Sequence, residues 1–147
     1  MHMKLLVDLR ILMAYAFKDD PDHQHAETFF NSAEKEKTEI NVVTPIIFEA
    51  EAVWLAGKVD IPLQEWLSFI SDIITSPVLN KIEVNKDLYD KHVKLYKKFG
   101  GNLTYFDSFH AAAAVITNYP LVTTDSKLLK TAEIPTKNLK TYTTFEQ

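Results

Sequence analysis

Cysteine is absent from this chain, arginine occurs once, as Arg10, and no long apolar run breaks the sequence. Without thiols there is no disulfide and no thiolate zinc site, and a reducing cytoplasm is the expected location. No stretch is long and apolar enough to span a bilayer, so no membrane association is expected. Asp8 and Arg10 interrupt the N-terminal apolar run, which therefore does not read as a secretory signal. Excess positive charge is missing too: the net charge is -4, which excludes a globally basic nucleic-acid binder. Local lysines can still hold phosphates, because acidic site residues themselves depress the net charge. What is present is ordinary for a globular protein, with 46% hydrophobic and 24% charged residues. Repeats, low-complexity tracts and linkers are lacking, so one domain over residues 1–147 is expected.

Strand and helix patterns alternate along the chain. Residues 4–8, 39–43, 80–84, 120–124 and 139–142 read as strands, the third weakly. Residues 10–17, 22–37, 45–57, 86–99, 105–117 and 126–131 read as helices, as does the segment opening at Pro62. Asp22 is a candidate N-cap, Pro45 suits a first helical position, and Gly100-Gly101 ends the lysine-rich helix. Such alternation implies a central parallel sheet covered on both faces, a three-layer α/β/α sandwich.

Four acids stand out within that pattern. Asp8 ends Leu5-Leu6-Val7-Asp8, Asp125 follows Leu121-Val122-Thr123-Thr124, Glu49 lies in Pro45-Ile46-Ile47-Phe48-Glu49, and Asp107 opens Asp107-Ser108-Phe109-His110. Ligands collect outside the carboxyl ends of strands in open parallel sheets. Carboxylates gathered there repel one another, by a few kcal/mol per close pair at an effective dielectric of about 20. Cations or protons must offset that repulsion. An oxygen-only donor set suits Mg²⁺ or Mn²⁺ and points to metal-assisted phosphodiester chemistry. Taken singly, each acid has a plainer reading: Asp107 and Asp125 as helix caps, Glu49 as a solvated helix residue.

The four acids in this order resemble the PIN domain, and within it the VapC-like toxins of toxin–antitoxin pairs. The alanine-rich run Asp107-Ser108-Phe109-His110-Ala111-Ala112-Ala113-Ala114 and the strand ending Thr123-Thr124-Asp125 are similar to the family's. The resemblance covers essentially the whole chain. It implies a metal-dependent ribonuclease, with Asp8 and Asp107 as the main ligands. Glu49 and Asp125 would complete the shell and orient the attacking water. It also implies RNA as the substrate and a cognate antitoxin; a homodimer is the further expected assembly. One departure stands out: where the family usually has Thr or Ser after the first Asp, then a small polar residue, this chain has Leu9 and Arg10. Arg10 can grip the scissile phosphate or fold back onto the carboxylates and compete with metal. The departure motivates an alternative, a catalytically weak or inactive RNA-binding regulator. A metal phosphatase or receiver-like domain fits less well, since no lysine follows a strand in the receiver pattern.

Arg10, Thr123 and Lys127 are the candidates for holding substrate, with Lys130 beside them. Thr123 can instead bond a site carboxylate, or be simply a β-branched strand residue. His110 lies one turn after Asp107 on the same face, and a packed histidine is its commoner role. His23-Gln24-His25 reads as an exposed helix start. Lys91, Lys94, Lys97 and Lys98 read as a solvated face, with an RNA track as the sharper alternative. Trp54 and Trp66 are core residues or aromatic anchors of a homodimer interface or antitoxin groove.

Overall fold

The computed structural model describes residues 3–146, so Met1, His2 and Gln147 of the expected 1–147 span lie outside it. In chain order the elements are β1 (Lys4–Val7), α1 (Leu9–Ala16), α2 (His23–Glu36), β2 (Glu39–Val43), α3 (Ile46–Leu55), α4 (Leu63–Thr75), β3 (Leu79–Ile82), α5 (Lys86–Phe99), α6 (Tyr105–Thr117), β4 (Leu121–Thr123), α7 (Ser126–Leu129), β5 (Thr136–Asn138) and α8 (Leu139–Glu146). The five strands form one sheet in the order β3-β2-β1-β4-β5. Every neighbouring pair is parallel.

Successive side chains of β1 serve opposite faces, as the two-residue strand period requires. Leu5 and Val7 join Phe29, Val42 and Trp66 in one apolar cluster, while Leu6 joins Val43, Leu95, Ala111–Ala114 and Leu121 in the other. The sheet is thus buried on both sides and the fold is the expected α/β/α sandwich. Each fully buried Leu, Ile or Phe contributes roughly 1.5–3 kcal/mol of burial free energy. The alanines of α6 let that helix lie close to the sheet. Between the strands, Asn41 is fully buried and donates to the Leu5 carbonyl at 3.0 Å, while Asn80 donates to Asn41 Oδ1 at 2.5 Å.

Several helices stop at left-handed residues. Lys37 (φ 58°), Gly57 (φ 70°) and Asn118 (φ 60°) follow the last turns of α2, α3 and α6. Gly100 ends α5 differently. It keeps a right-handed backbone (φ -59°), and a Cβ there would come within 2.6 Å of the Tyr96 carbonyl oxygen.

Local expectations fail at three places. Residues 139–142 are helical, and the last strand is Thr136–Asn138. That strand is defined by its partner, with Thr136 and Asn138 in register with Leu121 and Thr123, rather than by any apolar pattern of its own. Asn138 Oδ1 then accepts the Lys140 N–H at 3.0 Å, as the chain turns into α8. The third strand is Leu79–Ile82 rather than 80–84. Asp22 makes no side-chain cap; its N–H bonds Asp20 Oδ1 at 2.8 Å, and its carboxylate lies 3.6 Å from Lys140 Nζ. Trp66 is 1% exposed, its indole N–H donating to the Ala50 carbonyl at 2.8 Å, and Trp54 is half-buried on the same core. Of the two readings offered for the tryptophans, the core one holds, fully for Trp66 and in part for Trp54.

Candidate metal centre at the sheet switch point

From β1 the sheet grows one way through β2 and β3, and the other way through β4 and β5. The strand order reverses between β1 and β4, where parallel sheets open a crevice at their carboxyl ends. Asp8 directly follows β1 and Asp125 lies two residues beyond β4. Val7 pairs with Val122, so Asp8 and Thr123 are the next neighbours across the ladder.

Asp8 is fully buried and its oxygens are fixed individually. Oδ1 accepts the Ile11 N–H at 3.3 Å, as the N-cap of α1, and Oδ2 accepts the Thr123 hydroxyl at 2.5 Å. The Thr123 hydroxyl also accepts the Asp125 N–H at 3.1 Å, which ties the two carboxylate-bearing turns together. Asp125 caps α7, its Oδ1 accepting the Lys127 N–H at 2.9 Å. Asp107 sits in the first turn of α6, capped by Thr104, whose hydroxyl accepts the Asp107 N–H at 3.0 Å.

Arg10 joins these three acids. Its Nη1 lies 3.2 Å from Asp8 Oδ2 and 3.3 Å from Asp107 Oδ1, and its Nη2 lies 2.9 Å from Asp125 Oδ2. Burial opposes its charge, but Asp8, then Asp107 and Asp125, hold the guanidinium proton more tightly than in water. Burial raises the Asp8 carboxyl above its ordinary value of 3.8, against the opposing pull of Arg10, His110 and Thr123.

Glu49 stands to one side with His110, whose Nε2 is 2.7 Å from Glu49 Oε1. Asp8 feels both charges, so this pair belongs to the same electrostatic unit. Burial disfavours the His110 imidazolium, but Glu49, Asp8 and Asp107 outweigh it and raise its pKa above 6.5. A folded value above the unfolded one means the pair stabilises fully below about pH 6.5 and loses that contribution as pH climbs through the folded value. His110→Gln should therefore lower the melting temperature most near pH 6, with the gap from wild type narrowing towards alkaline pH. A gap constant over that range would show that His110 is not charged by its partner.

By its spacing alone, His110 reads as a packed residue. Its spacing from Asp107 was visible, but its pairing with a glutamate 61 positions away was not. Thr123 is 0% exposed, with its hydroxyl committed to Asp8 and Asp125. The Lys127 side chain is exposed, next to Asp125. Lys98 pairs with Glu133, and His23 Nδ1 bonds the Ala14 carbonyl at 2.8 Å, tying α2 to α1.

The donor chemistry fits a hard divalent ion. Three carboxylates converge on one positive charge, and each keeps a position set by its own strand end or helix start. With the guanidinium between them, however, no three His, Asp or Glu side chains among the described residues lie close enough to share an ion.

Solved structures share this fold. VapBC2 from Rickettsia felis, bound to a DNA fragment from their promoter, superimposes with a TM-score of 0.67 at 16% identity, covering 92% of this chain and 98% of that one. FitAcB from Neisseria gonorrhoeae gives 0.66 at 14% identity, with the same coverage of 92% and 98%. A toxin–antitoxin complex from Klebsiella pneumoniae gives 0.58 at 14% identity, covering 92% and 97%. No curated protein matches the chain. The PIN domain family model matches residues 5–134, a span that contains all four acids, and with the fold and the switch-point cluster in agreement the chain belongs to the PIN domain family.

Proposed function

We propose that this chain, working as one PIN-like domain over residues 1–147, is a divalent-metal-dependent endoribonuclease and a VapC-like toxin of the cytoplasm. The observation that carries the reading is the convergence of Asp8, Asp107 and Asp125 on a single positive charge at the switch point. Asp8, Asp107 and Asp125, with Glu49 beside them, would hold Mg²⁺ or Mn²⁺. The ion would supply an acidified water and stabilisation of the charge that develops on the phosphate.

The chain's own residues do the positioning. Ile11 N–H and the Thr123 hydroxyl aim Asp8, and Lys127 N–H aims Asp125. Thr123 thus reaches substrate only through the carboxylates it orients. His110 fixes Glu49 Oε1, so Glu49 is assigned the orienting of the attacking water. Lys127 and a displaced Arg10 would hold the RNA phosphates. The fold likeness to toxin–antitoxin complexes supports an antitoxin partner. A groove of about 640 Å³ lined by Leu12, Tyr15, Phe30, Phe69, Ile73 and Leu79 shares α1 with the carboxylate site and could seat one. Exposed Tyr89, Tyr96 and Tyr105 support a homodimer, in which a second copy would cover them.

The test is cleavage of single-stranded RNA by protein freed of metal, then supplied with Mg²⁺ or Mn²⁺, with and without chelator. Cleavage should appear with either ion and vanish with chelator. Both ions should also raise the melting temperature by mass action, and Zn²⁺ should have no special advantage without a Cys or His cluster. The alternative, a weak or inactive RNA-binding regulator, is favoured by the seat of Arg10 among the carboxylates. RNA binding without cleavage at any Mn²⁺ concentration would select it.

A further inference from the structure

Arg10 is the chain's single arginine and it occupies the ground between three carboxylates. Those oxygens cannot serve the guanidinium and a small hard cation at once, because Mg²⁺ demands direct contacts near 2.0–2.1 Å, about 1 Å shorter than these hydrogen bonds. Asp8 and Asp125 do not depend on Arg10 for orientation. Asp8 keeps Ile11 N–H and Thr123, and Asp125 keeps Lys127 N–H. The Arg10 side chain is 40% exposed, so a path into solvent is open to it.

We propose that Arg10 is a built-in competitor for the divalent cation, closing the metal-free site and leaving it when the ion binds. The inference rests on the metal site proposed above and adds a device to it. The same side chain then has two positions: parked on the carboxylates without metal, and free to grip an RNA phosphate with metal bound. The apparent dissociation constant is the intrinsic one divided by the fraction of molecules in which the arginine is out. If that fraction is about one in ten, Arg10 weakens cation binding about tenfold. A clasp of this kind would keep the site shut where the free ion is scarce.

The test is Mn²⁺ binding to the metal-free full chain by titration calorimetry, without RNA, for wild type, Arg10→Ala, Arg10→Gln and Arg10→Lys. Circular dichroism checks folding, and Arg10→Gln stands in should the alanine variant fold poorly. Occupancy predicts Mn²⁺ binding tightened about tenfold or more in the neutral variants. It also predicts tightening in Arg10→Lys, which keeps the charge but lacks the fork that reaches three acids. Tightening confined to the neutral variants would show a distant charge effect and overturn the proposal. Equal, measurable affinities in all four proteins would overturn it while leaving the metal site standing. No Mn²⁺ binding in any of them would overturn both.

Discussion

Asp8→Asn should abolish measurable RNA cleavage while the metal-free protein melts at least as high as wild type. The two effects have one cause. Asp8 is fully buried, and burial raises its folded pKa above 3.8 even with Arg10 beside it. Its ionised form therefore costs stability above the folded pKa, and the cost disappears as pH falls below 3.8. An uncharged isostere removes the cost, so the gain in melting temperature should be present at neutral pH and fade in acid. The same change removes one ligand charge from the proposed metal site. Loss of an electrostatic contact made at the reacting centre typically lowers turnover by about a hundredfold to a thousandfold. Full cleavage by a well-folded Asp8→Asn protein would remove Asp8 from the site.

Trp66→Ala should cost about 3–5 kcal/mol of stability, the usual range for deleting a large buried aromatic. The indole is 1% exposed, lies against Phe17 and Phe69 with ring centroids 5.9 and 4.9 Å away, and satisfies the Ala50 carbonyl. Removing it leaves a cavity among those rings, and Ala50 keeps only its helical partner within α3. For a domain of this size the melting temperature should fall by roughly 10 °C. Trp54→Ala should cost less, because Trp54 is only half-buried. A Trp66→Ala protein as stable as wild type but altered in oligomeric state would restore the interface role.

The layers of the fold were legible because their signals are local. The alanine-rich helix was expected at 105–117 and lies at Tyr105–Thr117, and strand 39–43 lies at Glu39–Val43. Strand order was not legible, since no residue of β1 announces that β2 and β4 flank it. Strand β5 was missed because Thr136-Lys137-Asn138 is strand only by pairing with β4. At the candidate site, turn chemistry made Asp8 and Asp125 visible as acids at strand ends. The Asn41–Asn80 pair, the His110–Glu49 pair and the bridge from Arg10 to Asp107 span 39, 61 and 97 positions, and such relations arise only when the chain has folded. Arg10 was legible as a departure from the family pattern, and of its two nameable positions the phosphate grip was favoured; only the fold shows the side chain resting on Asp8, Asp107 and Asp125.

As proposed, the acids at the switch point form a metal-dependent ribonuclease centre. Its most direct test is a time course of cleavage of a labelled single-stranded RNA in Mn²⁺, comparing wild type with Asp107→Asn at matched folded concentration. Asp107 caps nothing, because Thr104 caps α6, so its loss should spare the fold. Wild type should cleave until chelator stops it, and Asp107→Asn should not cleave. Equal cleavage by both proteins, or cleavage by wild type that survives chelator, would contradict the proposal.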